Sequence, residues 1–217
     1  MQHRDRCVNI DDHMRSPKVK KSRAYQLRAR ADKQAETHRA LAEVAYALHR
    51  SVGPVNTTVS AIAAKAGVQR LTVYRHFPDM ESIFAACTAH AFEIDPPPNP
   101  AVWQAIANPE TRLRTALADL YGYHRRNARL LANLYRDAAM PEVAAGLARR
   151  AELLAMAAKV LMIGWSTKGA ARLMHAAFGH ALDFGAWQSL AEAQQLTDAE
   201  AIEIMVALVR AVAEPVT

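Results

Sequence analysis

The span from Thr57 to Ile83 constrains this 217-residue chain more than any other part of it. Its residues spell a short capped helix, a glycine turn, a second short helix and the start of a third. Thr57 or Thr58 can cap the first helix, a hydroxyl meeting an otherwise unpaired backbone N–H. Ile62 and Ala63 face inward, and the small Ala63 lets a second helix cross closely. Gly67 falls where a helix must end in a left-handed turn, a conformation that costs glycine little. Val68 plugs the turn, while Val73 and Phe77 recur at helical spacing. Pro78 stops that helix and Asp79 caps the next, with Glu81 in its first turn. Two short helices crossing on a tight turn make a helix-turn-helix, whose second helix fits the DNA major groove.

The residues in order are Thr57, Thr58, Ile62, Ala63, Ala66, Gly67, Val68, Thr72, Val73, Tyr74, His76, Phe77, Glu81 and Ile83. This pattern resembles the DNA-binding domain of the TetR family of bacterial transcriptional regulators. The Tyr-x-His-Phe ending is more specific than a generic helix-turn-helix. Two positions depart from the family pattern: Gln69 stands where a small cap is usual, and Met80 stands where a lysine often contacts phosphate. The resemblance implies an all-α fold, with an N-terminal three-helix DNA-binding domain and a C-terminal helical domain for ligand binding and dimerisation.

Composition agrees with a helical protein. Hydrophobic residues make up 51% of the chain, which is long enough to bury a real core. The net charge of +6 suits a polyanionic partner without choosing between nucleic acid and an anionic membrane. Cys7 and Cys87 are too few and too far apart for a disulfide framework or zinc site. No apolar run reaches the roughly 20 residues that span a bilayer, and the N-terminus lacks the apolar stretch of a signal peptide. A cytoplasmic protein without a membrane partner is expected.

Four segments follow. Residues 1–30 are polar and basic: Arg15, Lys18, Lys20, Lys21, Arg23, Arg28 and Arg30 lie here, with Lys33 just beyond and Asp32 the nearby acid. Such a run reads as a disordered tail, or as an arm that follows DNA phosphates; a start at Met14 would also fit. Residues 31–78 form the helix-turn-helix domain, opened by a supporting helix from about Ala31 to Val52 with Leu41, Val44, Ala45 and Leu48 on one face. Residues 79–95 form a connecting helix. The proline-rich run Asp95–Pro100 ends it, since proline lacks an N–H and disfavours helix just before itself.

Residues 96–217 read as further helices: one around Trp103, one from Asn108–Pro109 through Tyr121, one near Leu130–Ala138, a long one from Pro141 to about Ile163, one from Ser166 or Thr167 to about Leu190, and a last one opened by the Thr197–Glu200 capping box.

The TetR resemblance places Gln69, Arg70, Leu71 and Thr72 at base edges and Tyr74 and His76 near phosphates; Thr58, at a helix N-terminus, suits a phosphate contact, and Thr57 and Arg75 complete the expected DNA-binding set. Chemically, Arg70 can pair with guanine, Gln69 with adenine, and Leu71 or the Thr72 methyl can pack on thymine methyls. It also implies a dimer through the last two helices. The small and apolar residues there include Met174, Ala177, Ala181, Leu182, Ile202, Met205, Val206 and Val209. A third set, Trp103, Tyr121, His124, Met156, His175 and Phe178, mixes rings with polar tips as a ligand pocket does. His175 and His180 are five apart and miss a shared helical face, so no metal is expected. No cofactor-binding or catalytic motif is present. The expectation is a homodimeric, non-enzymatic transcriptional regulator, a repressor released from a palindromic operator by a small-molecule effector. An architectural DNA-binding protein without an effector, or a helical enzyme carrying a helix-turn-helix, are the alternatives.

Overall fold

A computed structural model describes the backbone of residues 18–166 and 170–213, with side chains from residue 25 onward. Cys7, Met14, Arg15 and Thr167 lie outside the described residues, as do the side chains of Lys18, Lys20, Lys21 and Arg23. The chain is all-α, as expected, with no strand among the described residues. It divides into two units, Met1–His38 and Arg39–Thr217.

Helix α1 (Lys18–Ser51) contributes to both units. In the first unit it starts at Lys18, well before the expected Ala31, so the supposed tail is helical over its second half. Lys, Arg, Gln and Ala all have good helix propensity, which outweighs the lack of an apolar face there. Between Tyr25 and His38 every residue except Thr37 is exposed.

In the second unit, α1 packs with α2 (Val59–Ala66), α3 (Arg70–His76) and α4 (Met80–Ile94). Their core is Leu41, Ala42, Ala45, Ile62, Ala63, Val73, Phe77 and Ile83. Thr58, not Thr57, caps α2, its hydroxyl accepting from Ala61 N at 3.1 Å. Gly67 ends α2 at φ 67°, the left-handed turn that glycine tolerates best. Asp79 and Ser82 close a reciprocal capping box on α4. Met80, the departure from the family pattern, is half-buried against this core.

Beyond the prolines come α5 (Pro100–Gln104), α6 (Pro109–Arg136), α7 (Pro141–Met162), α8 (Ala171–Leu182), α9 (Phe184–Gln188), a π-helical turn over Ser189–Ala193, and α10 (Asp198–Ala213). Two expected breaks differ. The helices expected to end at Tyr121 and to begin near Leu130 are one helix, α6, since nothing between them lacks an N–H or caps an end. The helix expected to reach Leu190 instead stops at Asp183, whose carboxylate accepts from Ala186 N at 3.0 Å and caps α9. A single large core joins α5 to α10, with Leu113, Leu117, Tyr121, Leu161, Met174, Phe178, Leu182 and Trp187 fully enclosed.

Candidate nucleic-acid interface and ligand-sensing core

Helix α3 is anchored by Val73 and Phe77, which are 0% and 2% exposed. The same anchoring turns Gln69, Arg70, Leu71, Tyr74 and Arg75 to solvent. Gln69, Arg70 and Arg75 make no side-chain hydrogen bond or ion pair among the described residues. Thr72 and His76 are half-buried at the edge of this face. Thr58 is exposed at the N-terminus of α2. Thr57 is a correction: it is buried, and its hydroxyl donates to Gly53 O at 2.9 Å. It holds the turn before α2 rather than facing solvent.

The C-terminus of α1 is seated on the end of α6. The last carbonyls of a helix lack partners within it, and here α6 supplies donors. Asn133 Nδ2 donates to His49 O and Arg50 O, both at 3.0 Å. Arg129 donates to Ser51 O at 2.8 Å and Arg136 to Val52 O at 3.0 Å. In return the Asp137 carboxylate accepts from Val55 N at 3.1 Å. Gly53 makes this joint possible: its φ is 91°, and a Cβ there would collide with the Arg136 guanidinium. Arg126 and Asn127 bind Asp95 at 2.7–3.0 Å, so the end of α4 is tied to α6 as well. His49 stacks near Phe84 and sits 3.2 Å from Cys87 Sγ. Burial drives the His49 pKa down to about 4 against the pull of Asp137, and pushes the Cys87 thiol up to about 12.

Sequence reasoning missed this joint. Its signal was present as a polar stripe, since Arg129, Asn133 and Arg136 fall at i, i+4 and i+7 on α6.

The residues expected to line a ligand pocket separate into two groups. Trp103, Tyr121, His124 and Phe178 are packed inside the large core. Trp103 donates to Asp119 at 2.8 Å, and Tyr121 donates to Ala181 O at 2.9 Å. Met156 and His175 are exposed, because the buried faces of α7 and α8 carry Ala157, Leu161, Met174 and Phe178 instead. Two open clefts lie elsewhere on the C-terminal domain. One of about 430 Å³ is bounded by Arg125, Ala191, Gln195, Leu196, Thr197 and Asp198. The other, about 300 Å³, includes Asn108, Trp165 and Arg210. At the centre of the core, His124 is surrounded by Tyr121, Tyr123, Phe184 and Trp187, with ring centroids 5.5–6.5 Å away. Its Nε2 lies 2.7 Å from Arg150, a residue on α7 that no sequence pattern linked to His124.

The expected dimer residues are also corrected. Met174, Ala177, Ala181, Leu182, Ile202, Met205, Val206 and Val209 all belong to the protomer's own core. The opposite faces of α8 and α10 are exposed and still apolar: Leu173 is 61% exposed, Ile204 45% and Leu208 39%. Apolar residues lie on nearly every face of α10, so periodicity could not separate the inner stripe from the outer.

Among the described residues no helix is long and apolar enough to cross a membrane. None of them form a group of three or more histidine, cysteine or acidic side chains able to hold a metal.

A helix-turn-helix with an open second helix, seated on a larger all-α domain, defines the class: a DNA-binding regulatory protein. Residues 41–87 match the family described as bacterial regulatory proteins, tetR family. The match spans the helix-turn-helix and the parts of α1 and α4 that flank it. Solved structures share the fold across most of the chain. A TetR-like transcriptional regulator from Rhodococcus sp. RHA1 is 21% identical, with a TM-score of 0.57 over 80% of this chain and 93% of its own. A second Rhodococcus sp. transcriptional regulator is 17% identical, with a TM-score of 0.55 over 81% and 95%. A Saccharomonospora viridis protein in complex with choline is 16% identical, with a TM-score of 0.52 over 81% and 96%. No curated protein matches the chain by sequence.

Proposed function

We propose that the protein is a homodimeric repressor that leaves a palindromic operator when a small molecule enters its C-terminal core. The observation that carries the reading is the outward face of α3, where Gln69, Arg70, Leu71, Tyr74 and Arg75 stand exposed on a helix fixed from behind by Val73 and Phe77. Polar and cationic groups without internal partners are free to meet base edges and phosphates. A lone helix-turn-helix makes few contacts, and two-fold pairing matches two half-sites. The exposed apolar residues Leu173, Ile204 and Leu208 supply a surface for a second copy. The joint between α1 and α6 supports the release step, since any shift of α6 must carry the end of α1 with it. The choline complex of one structural relative supports a small-molecule ligand in this fold, without naming the one used here. Residues 1–38 contain ten basic and five acidic side chains, so most of the net charge of +6 lies there. That segment adds sequence-independent phosphate contacts. The protein acts by binding rather than by turnover, in the cytoplasm.

The test is selection of DNA from a random pool by the full chain, followed by mobility shifts with the selected site. Arg70→Ala should cost about 1–3 kcal/mol and relax one base position. Replacing Arg28, Arg30 and Lys33 by glutamine should flatten the salt dependence by about 0.9 per lost phosphate contact, leaving base preference alone. Leu208→Glu should give a monomer by light scattering. Failure to enrich any sequence overturns the regulatory reading.

A further inference from the structure

The proposed effector site in the C-terminal core carries chemistry that restricts what can fill it. His124 is fully enclosed, and Arg150 Nη2 lies 2.7 Å from its Nε2. A guanidinium can only donate, so Nε2 is the acceptor and the ring proton sits on Nδ1. Burial, together with the Arg150 charge, holds the imidazole neutral, with a pKa near 3. That Nδ1–H is buried without a partner, and so is the Nε–H of Arg150. An unmet buried donor costs about 1–3 kcal/mol, and native interiors hold few of them. Here two fall on side chains already bonded to each other.

The charge is as unmet as the donors. Arg150 forms no ion pair with any described residue. Asp198, the acid whose charge reaches His124, is committed: it accepts from Arg125 and Trp187. Rings surround His124, with Trp187 5.6 Å away, and the half-buried Arg150 lies 6.0 Å from the Tyr123 centroid. Low-polarity walls strengthen attraction to an anion and raise the cost of leaving the cation alone. A cationic guest would be repelled by the Arg150 guanidinium.

We propose that His124 and Arg150 form the anion seat of the effector site, and that the effector is an organic carboxylate with an apolar body. One carboxylate oxygen accepts from Arg150 Nε–H and the other from His124 Nδ1–H, while the body packs among the surrounding rings. This rests on the reading of the C-terminal core as the place where an effector binds.

The experiment uses the full chain and a fixed series of probes: acetate, octanoate, phenylacetate and indole-3-acetate, each beside its primary amide, with choline as the cation. Binding is read by thermal shift and by Trp fluorescence, in the wild type and in Arg150→Met. At least one carboxylate should raise Tm by several degrees, its amide should bind at least tenfold more weakly, and Arg150→Met should abolish that preference. Imidazole ¹⁵N spectra of the wild type give a readout independent of any variant's folding. They should show the Nδ1–H tautomer, with that proton moving downfield when the carboxylate binds.

Equal binding of amide or choline, an unchanged preference in Arg150→Met, an Nε2–H tautomer, or no binding by any carboxylate each overturns the seat. Operator release separates the two readings. A carboxylate that binds through Arg150 but leaves DNA binding untouched keeps the seat and removes the effector role. A non-carboxylate that releases DNA equally from Arg150→Met keeps the effector role and removes the seat.

Discussion

The DNA-binding domain and the C-terminal domain are both helical, yet their interiors differ in kind. The first is small and dry at its centre: Leu41, Ala42, Ala45, Ile62, Ala63, Val73, Phe77 and Ile83 meet with no charged group among them, and the buried His49 lies against Phe84 and Cys87 instead. The second encloses Arg112, His124, Asn127 and Asn133 among its apolar residues. Arg112 is fully engaged, donating to Ile106 O, Ala107 O and Ile163 O, and so locks the loops around α6. His124 is not. A dry core has one good packing and behaves as a rigid block, which suits a helix that must meet DNA in a fixed register. A core with unmet polar groups gains from any partner that meets them.

The largest expected effect strikes the dry core. Phe77→Ala empties a site that is 2% exposed and should cost about 3–5 kcal/mol. With so few residues to compensate, the DNA-binding domain should lose its fold and its operator affinity. The C-terminal helices should survive, giving two transitions in urea followed by far-UV circular dichroism. A single cooperative loss would show that the two interiors are not independent, and would break the comparison.

Acid gives the next effect, and it falls on one buried histidine in each domain. His49 and His124 are neutral in the fold, with pKa values near 4 and 3 against 6.5 when free. Between those values the unfolded chain binds protons that the folded chain refuses, so stability falls as pH drops below 6.5. By pH 5 each histidine should have removed about 2 kcal/mol. The carboxylates held low by arginine partners, such as Asp95 and Asp198, contribute only nearer and below pH 4. Urea midpoints at pH 7 and pH 5 measure the loss, and His124→Phe should remove about half of the pH dependence even if it lowers stability at pH 7.

Much of the first domain was legible because its signals are local. Gly67 must turn, Phe77 must be buried beside Val73, and Asp79 must cap, each within a few residues of its partner. Thr57 was misread for an equally local reason: adjacent threonines both offer a cap, and only the bond to Gly53 O shows which one turned inward. The C-terminal site was less legible because its partners are distant. Arg150 reaches His124 from another helix, and no periodicity links the two. The burial of the stripe expected to meet a second copy has a third cause. Ile202, Ile204, Met205, Val206, Leu208 and Val209 wrap α10 with apolar groups, so the sequence names the helix and not its outward side.

The joint between the domains should respond more gently. Asn133→Ala leaves the His49 and Arg50 carbonyls without the donor they share, at a cost of about 1–3 kcal/mol. Arg129 and Arg136 still hold the neighbouring carbonyls, so the fold and the α3 surface should persist. Operator affinity should stay within a few-fold of wild type, while the response to effector weakens. Titrating a bound operator with effector measures both quantities. Full release from Asn133→Ala would place the coupling at the Asp95–Arg126 contact instead.

The smallest effect belongs to the charged clasp outside the larger core. Glu110, at the start of α6, pairs with Arg114 and with Arg210 on α10, and Arg114 also pairs with Glu203. These side chains are partly or largely exposed, and water screens them well. Exposed pairs typically contribute about 0–1 kcal/mol, since ordering two long side chains offsets much of the attraction. Beneath the clasp, Leu113, Leu117, Val206 and Val209 already bury the seam between the helices. Glu110→Gln should therefore lower the stability read from urea unfolding by less than about 1 kcal/mol, and 1 M NaCl should erase the difference. A larger, salt-resistant loss would mean that charge rather than apolar burial holds α6 to α10. The polar character of the C-terminal domain would then be a matter of its seams, and not only of the histidine and arginine at its centre.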